Sequence, residues 1–265
     1  MTRWLVAGAA LGALVAAIGF APAAWLAAWI HDATAGRLLL ADARGTLWSG
    51  SATPVLGGGA GSRDASALPD RLHWRIGTDG LALLVRAEQA CCLNGTLRLR
   101  VVPAPDGLTI TLLPHAGGGA VGQWPLAWLA GLGTPWNTLQ PGGSLQLASP
   151  GLVLRSAGGH WRLGGRAELE IDGLSSRLST LDVLGSYRLT LAGDLAHGAP
   201  ATLALQTLAG PLMLEGHGEL LAGGTATGLR FRGTASAAPG QAGVLNNLLN
   251  IIGRRQGAAS IISIG

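Results

Sequence analysis

The sequence predicts a mainly β protein: an N-terminal transmembrane helix, then a curled antiparallel β-meander, sandwich-like, with two short helices. Three observations carry this. Glycine supplies 43 of 265 residues, more than twice its ordinary ~7%, without the three-residue period of collagen. Each glycine costs roughly 1 kcal/mol in a helix interior relative to alanine, which excludes a helical bundle for most of the chain. Past the N-terminal segment, glycines open short runs in which every second residue is apolar, the period of a half-buried strand. Ahead of them lies a long uncharged apolar stretch.

That stretch comes first in the chain. After Arg3 no charge occurs until Asp32, and Leu5 to Ala24 are apolar throughout. As a helix these residues reach about 30 Å, the thickness of a bilayer core. Trp4 at one end and Trp25 and Trp29 at the other fit interfacial anchors. Ala21-Pro22-Ala23 resembles a signal-peptidase site, but the apolar run exceeds a 7–15-residue signal core and continues past it. A retained anchor over residues 5–24 is the expectation, with 1–30 as cytoplasmic tip and anchor and 31–265 as one exported β domain. Arg3, the charge on the short side, favours the N-terminus inside.

Strands follow at Arg37–Leu40, Leu72–Ile76 and Leu81–Val85. Then come the glycine-led runs at Gly95, Gly143, Gly165, Gly185, Gly210 and Gly228. Leu97, Leu99 and Val101 share one face, and Tyr187, Leu189 and Leu191 do the same opposite Ser186, Arg188 and Thr190. Asn94-Gly95 signals a tight type I′ hairpin. Turn residues at short spacing, without helical crossovers, favour an antiparallel meander over a parallel α/β sheet. An apolar face shared by many strands must be covered, by a second sheet or by curling.

Two segments read as helix. Trp124–Leu132 has Pro125 at a first helical position and Gly131 and Gly133 as stops. Val244–Ile252 places Leu245, Leu248, Leu249 and Ile252 at i, i+3, i+4 and i+7, closed by Gly253. Gly57–Leu68 and His115–Gly122 read as linkers, the first as a mobile loop.

Chemistry is sparse. Net charge is +4, yet the 18 basic residues are all arginine and scattered, with Arg254-Arg255 the one adjacent pair, which argues against nucleic acid. Gly117-x-Gly119-x-x-Gly122 mimics a dinucleotide fingerprint, but no carboxylate stands between Asp106 and Glu168. The six histidines never reach metal-ligand spacing, and Cys91-Cys92 reads as two free, partly buried thiols. Glu168, Glu170 and Asp172 alternate on one strand as repelling carboxylates on a solvated face. Asn94-Gly95-Thr96 is a formal glycosylation sequon better explained as a turn. No catalytic, cofactor-binding or metal-binding residue is assigned, and Trp48, Trp74 and Tyr187 read as packing aromatics.

The order of several short motifs resembles the type II secretion system protein N family. The pieces are Phe20-Ala21-Pro22-Ala23, Gly45-Thr46-Leu47-Trp48-Ser49-Gly50 and Leu72-His73-Trp74-Arg75. Pro125-Leu126-Ala127-Trp128-Leu129, Gly133-Thr134-Pro135, Asn137-Thr138-Leu139 and Leu184-Gly185-Ser186-Tyr187 follow, then Thr207–Gly218, Phe231-Arg232-Gly233 and Leu248–Arg255. The resemblance implies a single-pass protein of the Gram-negative inner membrane with a periplasmic domain. Such a protein is a non-enzymatic accessory of the machinery that exports folded proteins, acting on other secretion subunits through protein contacts. In that reading the strands bury their apolar faces internally. The alternative is a periplasmic β-groove that binds lipid or another hydrophobe. An enzyme is disfavoured by the missing site.

Overall fold

The computed structural model describes residues 2–115, 119–221 and 228–265. Two helices open the chain, α1 (Thr2–Gly19) and α2 (Ala23–Ala33). The apolar run is therefore broken at residues 20–22, where Pro22 is extended and cannot donate a helical N–H. The expected single helix over 5–24 ends early, and among the described residues no helix is long and apolar enough to cross a membrane.

The rest is one antiparallel sheet of sixteen strands among the described residues. They are β1 (Leu38–Gly45), β2 (Ser49–Gly57), β3 (Ala65–Ala67), β4 (Leu72–Asp79), β5 (Ala82–Glu88), β6 (Leu97–Ala104), β7 (Gly107–Leu112) and β8 (Ala120–Pro125). A 3-10 turn (Leu126–Leu132) and the one-turn α3 (Trp136–Leu139) precede β9 (Gly142–Ala157) and β10 (His160–Ser175). The chain closes with β11 (Gly185–Gly193), β12 (Ala201–Ala209), β13 (Leu212–Leu221), β14 (Gly228–Ala237), α4 (Ala242–Ile252), β15 (Arg254–Gln256) and β16 (Ala259–Ile264). Spatial order follows chain order from β1 to β14, apart from β3, which pairs with β2, and β8, which shares β9 with β7. The meander holds, but as a single curled sheet and not a sandwich.

Curling is enforced from inside. The Leu126–Leu132 turn packs on β2 and β3 as well as on β9, strands far apart in the sheet order. Leu126 is fully buried, Trp128 Nε1 donates to the Ser66 carbonyl at 2.9 Å, and a Cβ on Gly131 would meet the Leu56 carbonyl at 2.3 Å. That turn is shorter than the helix expected over 124–132, because Trp124 and Pro125 pair with β9.

Other local expectations shift. Gly57–Leu68 is not a free loop: Ala65–Ala67 folds back on β2. β5 and β6 do pair, but through residues 89–96 rather than a two-residue turn. In that connection Cys91 and Cys92 are joined in a disulfide, not free. The reason is local: Cys92 and Leu93 donate to the Gln89 carbonyl, folding the adjacent thiols into one tight turn. Within the linker 115–122, residues 116–118 lie outside the described residues, Gly117 of the apparent fingerprint among them, and Gly122 belongs to β8. Gly253 ends α4 in extended backbone, so the helix stops without a left-handed cap.

Two apolar clusters close the ends. Ala23, Leu26, Ala27 and Ile30 of α2 cover Leu40, Ala52 and Trp74. Leu245, Leu248 and Leu249 of α4 cover Leu184, Leu212 and Ala235. The i, i+3, i+4 spacing read from the sequence is the face that docks. Ser260 Oγ, buried, donates to the Leu249 carbonyl at 2.6 Å and Tyr187 Oη to the Leu212 carbonyl at 2.8 Å. Burial pushes the Tyr187 phenol up, which keeps it a neutral donor. We expect Leu249→Ala to lower the unfolding free energy by about 2–5 kcal/mol. Leu81→Ala, at a residue 93% exposed, should stay within about 0.5 kcal/mol. Urea unfolding followed by circular dichroism distinguishes them.

Candidate functional site

Three surfaces carry the molecule's specific features. The first is a socket between α1 and the sheet. Trp48 Nε1 donates to the Ile18 carbonyl at 2.7 Å, the Leu47 N–H donates to the Ala21 carbonyl at 2.7 Å, and Pro22 bridges Thr46. Trp74 Nε1 in turn donates to the Leu47 carbonyl at 3.0 Å. The Phe20–Ala23 and Gly45–Gly50 motifs are thus one construction: the β1–β2 turn grips the break after α1. Trp74 and Tyr187 are core residues, whereas Trp48 is half-buried and acts through its hydrogen bond.

The second surface is the inner face of the curled sheet. Residues facing each other across the ladder run in unbroken apolar rows. One is Ile76, Val85, Leu99, Leu112, Leu152; the next is Leu83, Val101, Ile110, Leu154, Leu163. Beyond β10 the rows continue as Leu147, Leu169, Leu189, Leu205 and as Ala167, Leu191, Leu203. A bulge keeps them in phase. Between Ala148 and Gly151 β9 carries one residue more than β10, and Ser149 Oγ donates to the Arg166 carbonyl at 2.7 Å. Aside from Ala167, the row residues are half-buried, not buried. The strands thus bury their apolar faces only in part: α2 and α4 pack over the two ends, and the middle rows stay half-buried.

Surface area says the same. The chain exposes 15197 Å², whereas a compact protein of 26.7 kDa exposes about 10,700 Å². Between β9–β10 and β12–β13 the inner face deepens into a recess of about 620 Å³, lined by Leu154, Trp161, Leu163, Ala201 and Leu220 with Arg162 at its rim.

The third surface is the outer, polar face. In its C-terminal half, charges are answered. Arg166 meets Glu168 at 2.7 Å, Arg188 meets Glu170 at 3.2 Å, and Ser186 Oγ donates to Asp172 at 2.8 Å. Glu168 also lies 3.8 Å from Arg188 Nε, so each of the three alternating carboxylates has a partner on β11 and they are not simply repelling. In the N-terminal half Arg75 stands directly opposite Arg86, and Arg86 opposite Arg98. Arg98 donates to the Pro114 carbonyl, and among the described residues no carboxylate meets any of the three. Like charges so placed are destabilising. At the edge, by contrast, hydrogen bonds from Arg44 and then Arg71 hold the exposed Asp42 carboxyl below its ordinary range.

Among the described residues no group of three His, Cys, Asp or Glu could hold a metal. A larger hollow of about 970 Å³ beside α3 is lined mainly by small and polar residues, Asp64, Asn137, Ser176 and Asp182 among them. The rows of the inner face were legible strand by strand, but their joining needed the register. The arginine ladder was missed because its members lie 11 and 12 positions apart.

A one-sheet antiparallel β protein opened by two helices is the class these features define. The model of the type II secretion system protein N family matches residues 36–261, and the chain belongs to that family. No curated protein and no solved structure matches it significantly.

Two outcomes follow. Arg86→Gln should stabilise the fold by roughly 0.2–1 kcal/mol, most at low ionic strength, because it relieves two like-charge contacts. Urea midpoints at low and high salt check this. The Asp42 carboxyl, its folded pKa depressed, contributes stability above its unfolded value near 3.8. That contribution is lost as pH falls through the folded value. Carboxyl-detected NMR should place its midpoint below 3.8, and Arg71→Gln should raise it.

Proposed function

We propose that the protein is a non-enzymatic accessory component of the type II secretion machinery, held at the inner membrane by its N-terminal segment, with the sheet in the periplasm. Family membership supports the secretion role. Support for the membrane seat comes from the apolar residues 5–24 and from the exposure of Phe20, Trp25 and Trp29 around the helix break. Trp25 and Trp29 lie on the side of α2 opposite the one packed on the sheet, facing outward as interfacial tryptophans do.

The sheet acts by protein contact, and the observation that carries this is the unanswered Arg75–Arg86–Arg98 ladder. Three guanidinium groups held one strand apart, about 4.8 Å, present a preformed array to carboxylates. An acidic surface on another secretion subunit complements it. Affinity purification of the tagged full chain from detergent-extracted inner membranes tests the reading. Secretion subunits should co-purify with the wild-type chain and be lost with Arg86→Glu, while Arg188→Gln, on the answered half, keeps them. A full chain released from membranes by alkaline carbonate, or a subunit set untouched by Arg86→Glu, would overturn the proposal.

A further inference from the structure

We infer that the inner face of the sheet is a binding site for an acyl-chain lipid with an anionic headgroup, seated in the recess between β9–β10 and β12–β13. The inference is independent of the secretion role and rests on the geometry of that face. From β5 to β12 the uncovered ladder crosses six strand intervals, about 29 Å at about 4.8 Å each. One leaflet's acyl chain occupies about half of a ~30 Å bilayer core, so the trough holds a chain along its length. The rows of side chains offered to it from β5 to β10 are aliphatic. Backbone groups there are taken by the ladder on both sides, so no strand can add to this face.

A second copy of the chain is a poorer occupant. Sheets stack about 10 Å apart over matching surfaces, whereas this face is curled, with the Leu126–Leu132 turn touching both β2 and β9. Acyl chains fill such a trough because they conform to it. The recess supplies a seat of about 620 Å³, within the ~300–1,000 Å³ range of small-molecule sites. Its rim supplies the polar end. Arg162 stands there exposed, and among the described residues no carboxylate meets it. Apolar depth with a guanidinium group at the mouth matches acyl chains below a phosphate.

The test uses the full chain in mixed micelles with two photoreactive lipids. One is a phosphatidylglycerol carrying a diazirine in its acyl chain; the other is phosphatidylcholine with identical chains. Crosslinked residues are mapped by mass spectrometry. Expected are adducts at Leu154, Leu163 and Leu220, stronger for phosphatidylglycerol, with that preference lost in Arg162→Gln. Leu154→Trp, which fills the open trough, should cut labelling about tenfold, the equivalent of some two buried methylenes of chain contact. Arg162 is exposed, so its variant remains informative if Leu154→Trp fails to fold. Labelling confined to residues 2–33 overturns the inference, as does recess labelling equal for both headgroups, or a face-to-face dimer that shields Leu154.

Discussion

A single sheet has two faces, and an alternating sequence makes one of them apolar along its whole width. Everything else in this chain answers that constraint. A sandwich would cover the face with a second sheet, but here sixteen consecutive strands join one ladder, and no second layer remains to be made. Curling brings parts of the face together, and short helical pieces fill what curling cannot. α2 covers one end, α4 the other, and the Leu126–Leu132 turn props the curve between β2 and β9. These fillers leave the middle strands half-exposed.

The glycine content follows from the same constraint. Four large aromatics lie against a glycine: Trp74 over Gly50, Trp124 over Gly122, Tyr187 over Gly185 and Phe231 over Gly216. A Cβ at those positions would stand 2.4–2.7 Å from the ring or its hydroxyl. A curved sheet brings its inner side chains closer together than a flat one, so a broad ring fits only where its neighbour has none. This explains two of the family's motifs in physical terms. Gly50 closes the Gly45–Gly50 box to seat Trp74, and Gly185 precedes Tyr187 for its hydroxyl to reach the Leu212 carbonyl.

Strand content, antiparallel order and the docking face of α4 were legible because each depends on local periodicity. What failed was longer-range. Pro22 breaks the apolar run although hydropathy treats Leu5–Ala24 as continuous, and the socket of Thr46, Leu47 and Trp48 that receives the break lies more than twenty residues on. The Cys91–Cys92 link arises from a turn folded on Gln89, which spacing alone does not reveal. Likewise, composition showed dispersed arginines, and only the register Arg75–Arg86–Arg98 shows three of them aligned. Pairing, not pattern, decides which dispersed residues become a surface.

The two faces also differ in the chemistry they offer. Side chains of the ladder and of the apolar rows alternate along the same strands, so Arg98 points out where Leu99 points in. A protein held on the outer arginines does not occlude the trough, and a chain lying in the trough does not neutralise the outer arginines. Both remain fixed relative to the end of α1, because Trp48 and Leu47 bind it to the same β1–β2 turn that Trp74 supports. A tether with a rigid joint sets which way each face points. A flexible linker of the same length would leave the orientation free, and the hydrogen bonds of the Gly45–Gly50 box would then have no role.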